Sequence, residues 1–207
     1  MEDRKLNEKE SLALITQMIE NTRNRFIENS GAPFIIWGYT TIFVSLFVWY
    51  FWKTTGNVQW NLAWFLIPII GGLISYFHSK QRRKTVFAKT YIDRLTNYIW
   101  LLLGVSVLIL SVIAFIIPIP ILFFVLFCMN TGTVLTGIII RFKPVIVCGI
   151  GGILLSYVLL FVPGFSQILV FAASFLLMVI AGHWLNYICR KHNEENKKSP
   201  AIDGFTE

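Results

Sequence analysis

His183, Asn186 and Arg190 stand at i, i+3 and i+7, the spacing of one helix face. An imidazole, an amide and a guanidinium aligned in this way suit a phosphate or a lipid head group. A histidine near a membrane interface that simply turns toward water is the competing explanation. Lys80, Arg82, Arg83 and Lys84 form a second basic cluster, suited to anionic head groups. Asn130 and Thr133 share a stripe with Gly137 in the middle of an apolar stretch. They read either as a polar site lining a small cavity or as helix packing with an interhelical hydrogen bond, worth about 0.6 to 2 kcal/mol. The packing reading is the stronger. Cys148, Gly152 and Ser156 make a small-residue stripe of helix-contact type. Pro68 followed by Gly71 and Gly72 could interrupt a helix at the depth where transporters unwind one.

Catalytic sets are missing. The sequence has no carboxylate pair, no HExxH, no CxxC and no phosphate-cradling glycine loop, so the expectation is a non-enzyme without cofactor or metal. The three cysteines, Cys128, Cys148 and Cys189, do not make up the paired Cys and His spacing of a zinc site and read as small apolar filler.

The elements that carry these residues follow from composition. Of 207 residues, 56% are hydrophobic and only 14% charged, with mean hydropathy +0.66, whereas soluble chains carry about 25% charge. Asp, Glu, Lys and Arg are absent from 29 to 52, 54 to 79, 95 to 140 and 144 to 189. A helix needs about 20 apolar residues to cross the hydrocarbon core, so the two shorter runs hold one span each and the two longer runs two each. The predicted fold is all-α: a polytopic membrane protein with six transmembrane helices in three hairpins, near 34–52, 58–77, 98–117, 121–140, 145–162 and 166–188. A cytoplasmic amphipathic helix occupies 1–33 and a disordered cytoplasmic tail 189–207. All seven tryptophans fall within about two turns of a span end, where amphipathic rings prefer to sit.

The formal charge of +7 might suggest nucleic acid, but the basic residues are sorted by side. Five precede span one, six lie between spans two and three, two between four and five, and four follow span six; Lys53 alone falls on the other side. By the positive-inside rule both termini are cytoplasmic, and the charge records topology rather than a polyanionic ligand. The first 33 residues lack a signal-peptide pattern, so the first span is expected to act as an uncleaved anchor. Their acids also argue against an organellar transit peptide, leaving a bacterial inner membrane as the expected location.

Asn7 and Glu10 form a capping-box-like start, after which Leu12, Ile15, Met18, Ile19 and Phe26 recur at helical spacing. Gly31 and Pro33 are expected to stop this helix. Between residues 7 and 29 four acids face three bases. Helices that lie on anionic lipid are usually rich in Lys and Arg, so the apolar stripe is expected to bind protein, either a partner or a second copy.

The chain also carries a repeat. Gly38 and Ser45, Gly104 and Ser111, and Gly149 and Ser156 are each seven apart, and a glycine follows each first glycine by 33 residues: Gly71, Gly137 and Gly182. Pro118 and Pro163 match at the 45-residue offset of the last two hairpins. The pattern implies a triplicated hairpin in parallel orientation; recurrence by chance in a glycine-rich apolar chain is the alternative. Mitochondrial carriers share that count and orientation, but their Pro, acid and base signature is absent here.

NEKESLALITQMIENTRNRF, NSGAPFIIWGYTT from Asn29 and QWNLAWFLIPIIGG from Gln59 together resemble a recurrent class of small bacterial multi-pass membrane proteins to which no activity is assigned. The likeness covers the amphipathic helix and the first hairpin. It implies a bacterial origin and no mechanism.

The leading expectation is therefore a non-enzymatic integral membrane protein, an accessory or regulatory component acting through its cytoplasmic elements, in contact with membrane lipids and not with nucleic acid. The alternative is a small transporter or channel for a neutral or amphiphilic solute. The topology is testable by labelling. Cys189 should react with an impermeant maleimide only after the membrane is opened, whereas a cysteine replacing Thr55 should react in intact cells. The reverse pattern contradicts the six-span, both-ends-inside arrangement.

Overall fold

A computed structural model describes residues 8–82 and 91–198. The described chain is helical, without a strand. α1 spans Glu8–Thr55, and a 3-10 helix over Val58–Phe65 leads into α2, Leu66–Arg82. α3 is Tyr91–Ile113, α4 Ile121–Ile139, α5 Lys143–Val158 and α6 Ser166–Lys198. Among the described residues, five segments are long and apolar enough to cross a membrane: Gly31–Thr55, Val58–Gln81, Arg94–Ile113, Ile121–Ile139 and Ser166–Ile188. α5, at 16 residues, extends about 24 Å at 1.5 Å per residue, short of a hydrocarbon core of about 30 Å.

Two boundaries differ from the sequence expectation. α1 runs without a break through Gly31 and Pro33, although an internal proline forfeits a helix hydrogen bond and costs about 3 kcal/mol. The compensation is local packing on α6. Phe34 is buried in the core, and Gly31 lies so close to α6 that a Cβ there would come within 3.0 Å of the Gly182 carbonyl oxygen. The second difference is at the other end, where residues expected to form a disordered tail from 189 continue α6 to Lys198. Glu194 and Lys198 stand at the i, i+4 spacing that supports a helix.

α1 and α6 form the most extensive helix contact and α4 with α5 the next; α5 also packs on α6, α3 on α4, and α2 on α1. The buried share of the α6 span is 56%, against 6% for each of the α2 and α3 spans, so α6 is the central post and α2 and α3 are peripheral. Phe34, Leu126, Phe171, Phe175 and Leu185 form the main core between α1, α4 and α6.

The two closest seams are made by the repeat glycines, and they are made alike. A Cβ at Gly38 would meet Val179 Cγ2 at 2.5 Å and the Phe175 carbonyl oxygen at 3.6 Å; at Gly149 it would meet Val134 Cγ2 at 2.6 Å and the Asn130 carbonyl oxygen at 3.2 Å. Val134 and Val179 are 45 residues apart, as are Asn130 and Phe175, the same offset as Gly137 and Gly182. In return, a Cβ at Gly182 would meet Ile35 Cγ1 at 2.8 Å and one at Gly137 would meet Ile146 Cγ1 at 2.8 Å. Ile35 and Ile146 are separated by 111 residues, as are Gly38 and Gly149. Two sides of the bundle thus use the same residues of the repeat against each other.

Apolar side chains gain little by leaving lipid for one another, so close backbone approach supplies much of the attraction at such seams. Gly182→Val should therefore force α1 from α6 and destabilise the protein by about 1 to 3 kcal/mol, the usual cost of overpacking. Unfolding in mixed micelles measures it, and an unchanged midpoint contradicts the seam.

Candidate functional site

The third side of the bundle is open. α2 and α3 make no extensive contact with each other, and between them lies a cavity of about 690 Å³, within the range of about 300 to 1,000 Å³ typical of small-molecule sites. α6 supplies one wall through Phe171, Phe175 and Met178, and α4 another through Leu122, Val125 and Met129. Trp37 and Trp64 face it from α1 and the 3-10 helix, Pro68 from α2, and Gly104, Val107 and Ser111 from α3.

Aromatic side chains tie α3 to the rest of the bundle at its two ends. The rings of Phe65 and Phe115 stack with centroids 5.9 Å apart, joining the 3-10 helix to the turn after α3. At the other end Trp100 of α3 donates its indole N–H to Thr136 Oγ1 at 3.1 Å and meets Phe34 of α1 edge-on at 6.1 Å. Between these ends α3 leans on α4, with Leu103 against Gly132, but its cavity side is open at Gly104, where a Cβ would meet nothing within 4 Å.

Polar groups in the lining are few and satisfied by the chain itself. Ser111 donates to the Val107 carbonyl at 2.8 Å. Asn61 donates to the Val58 carbonyl at 3.1 Å and accepts from the Trp64 indole at 3.2 Å, while Gln167 donates to the Leu159 carbonyl at 3.3 Å. Asn61 and Gln167 lie near the starts of the 3-10 helix and of α6, and Thr41 of α1 also lines the cavity, so the lining is mainly apolar with a few polar side chains. Such a lining offers an occupant mostly hydrophobic contact, with a pair of amides where the 3-10 helix and α6 begin.

The residues singled out in the sequence are placed elsewhere. Asn130 is buried and donates to the Leu126 carbonyl at 2.8 Å, and its amide fills the surface of Gly152 so completely that no Cβ could stand there. Thr133 donates to the Met129 carbonyl at 3.0 Å. Asn130 belongs to the α4–α5 contact, Thr133 is buried, and neither is in the cavity lining. His183 Nε2 and Tyr39 Oη are 3.2 Å apart, and the Asn186 amide packs against Gly31, so two members of the presumed head-group trio are joined to α1; Arg190 is exposed. Lys80 is exposed. Arg83 and Lys84 lie outside the described residues, as does the side chain of Arg82. Leu12 is 64% exposed. The side chains of Ile15, Met18, Ile19 and Phe26, the rest of that stripe, lie outside the described set.

The cavity was not legible as a site because its lining is mainly apolar and drawn from six elements. Its only sequence marks were the repeat positions Gly104 and Ser111 and the Pro68 to Gly72 stretch. Among the described residues no cluster of His, Cys, Asp and Glu could hold a metal. No protein-family profile, curated relative or solved structure matches the chain.

Proposed function

We propose that this is a non-enzymatic bacterial inner-membrane protein that takes the apolar chain of an amphiphile from the bilayer into the cavity between α2 and α3. The observation that carries the reading is the cavity itself: about 690 Å³ and mainly apolar, with Asn61 and Gln167 among its few polar lining residues. Its open side lies between two apolar helices of which little is buried by the protein, so a lipid tail could enter sideways without crossing water. Six spans with both termini in the cytoplasm remain the topology of the proposal, supported by the sorting of basic residues. α5 reaches across only with local thinning of the bilayer or with help from the turns beyond Val158. In this topology Asn61 and Gln167 sit on the outer side, and the amphiphile's polar head is held there. Binding of this kind suits the expected transporter for an amphiphilic solute.

The accessory or regulatory role, played through the N-terminal helix on a protein partner or second copy, keeps one supporting observation. Leu12 remains 64% exposed in a stripe of otherwise apolar positions, and a large exposed aliphatic side chain leaves about 1.5 to 3 kcal/mol of burial unrealised.

Native mass spectrometry of the protein extracted in mild detergent tests the amphiphile reading. The expected result is a retained adduct whose mass identifies a phospholipid or a free fatty acid, reduced at least tenfold in Gly104→Trp, where the indole enters the empty space beside α3. Absence of any adduct from the folded parent, or an undiminished adduct in the variant, overturns the reading.

A further inference from the structure

We infer that the α2–α3 side of the bundle is a gate that closes by the same glycine contacts that hold the other two sides shut. The repeat predicts the partners. Gly104 is the counterpart of Gly38 and Gly149, and the residues those glycines meet, Val179 and Val134, correspond by the 45- and 66-residue offsets to Pro68. Gly71 is the counterpart of Gly137 and Gly182, whose partners Ile146 and Ile35 correspond to Leu101. In the observed conformation neither contact is made. Gly104 has nothing within 4 Å of a built Cβ, Gly104 and Pro68 both face the cavity, and Gly71 is covered by the Trp37 ring, with Cε3 3.1 Å from its built Cβ.

A local cause keeps this side apart. Trp37 corresponds to Leu103 and Cys148 in the other two repeats, and only the indole is large enough to occupy the groove that Gly71 offers to α3. Closing requires the ring to leave Gly71, α3 to swing inward between its tied ends, and the cavity to empty. An acyl chain in the cavity and a closed seam therefore exclude each other. This coupling rests on the amphiphile reading above; the closure itself rests only on the repeat geometry. A ligand that occupies only the open state shifts the population toward it.

Cysteine pairs test the gate in membranes, with Cys128, Cys148 and Cys189 replaced by alanine. Pro68→Cys with Gly104→Cys should form a disulfide on mild oxidation, because the seated contact brings the two Cβ atoms within bonding reach. Trp37→Leu should speed the reaction several-fold, and added oleate should slow it several-fold. If the pair does not fold, Gly71→Cys with Leu101→Cys reports the same closure. A folded pair that never cross-links overturns the gate, as does a rate indifferent to Trp37→Leu. Cross-linking that responds to Trp37→Leu but is indifferent to oleate supports the gate and overturns its coupling to a fatty-acid occupant, while the adduct measurement above decides the amphiphile reading, so the two stand or fall separately.

Discussion

Backbones must touch for these helices to stay together. In lipid an apolar side chain gains little by leaving the hydrocarbon for a protein neighbour, and what holds the helices is the van der Waals contact and polar interaction allowed by close approach. The chain meets that demand at Gly31, Gly38 and Gly182 between α1 and α6, and at Gly137, Gly149 and Gly152 between α4 and α5. The unbroken course of α1 through Pro33 follows from it, because the turn that would normally end at Gly31 is held against α6. So does the central place of α6, which packs on α1 on one side and on α5 on the other.

The same constraint explains the cavity. Where Gly38 and Gly149 receive a valine from the neighbouring helix, Gly104 faces Pro68 across empty space. Trp37 fills the groove at Gly71, and α3 is tied instead through Trp100 to Thr136 and through Phe115 to Phe65. Aromatic ties at the two ends of α3, with open space at Gly104 between them, leave a mainly apolar cavity of about 690 Å³. The function drawn from it depends on a departure from the repeat rather than on any reactive side chain.

Much of the architecture was legible in the sequence because charge and hydropathy act over whole segments. The absence of charge from long runs marked apolar helices whatever their packing, and the small-residue stripe of Cys148, Gly152 and Ser156 marked a helix face that at Gly152 meets Asn130 of α4. Residue-level roles were less legible. Asn130 drew attention as an amide in an apolar helix, yet the Leu126 carbonyl and the glycine surface of α5 account for it. The trio on α6 looked like one ligand-binding face, but His183 and Asn186 turn to Tyr39 and Gly31, partners more than 140 residues away in sequence. Gly31 and Pro33 carried the local signal of a helix end, and tertiary contact overrode it. The lining of the cavity gave no signal because tryptophan, phenylalanine and methionine look alike in a core, at an interface and around a ligand.

Spin-label distances across the three sides test most directly whether two are shut and one is open. Phe43, Ile109 and Leu154 are exposed repeat counterparts on α1, α3 and α5, and Ile180, Ile69 and Leu135 are exposed counterparts on α6, α2 and α4. Labels at Phe43 and Ile180 and labels at Leu154 and Leu135 should give matching, narrow, short distributions in nanodiscs. Labels at Ile109 and Ile69 should give a longer main distance, with any minor component falling at the length of the other two. Three indistinguishable distributions, or a mismatch between the first two, would contradict the account.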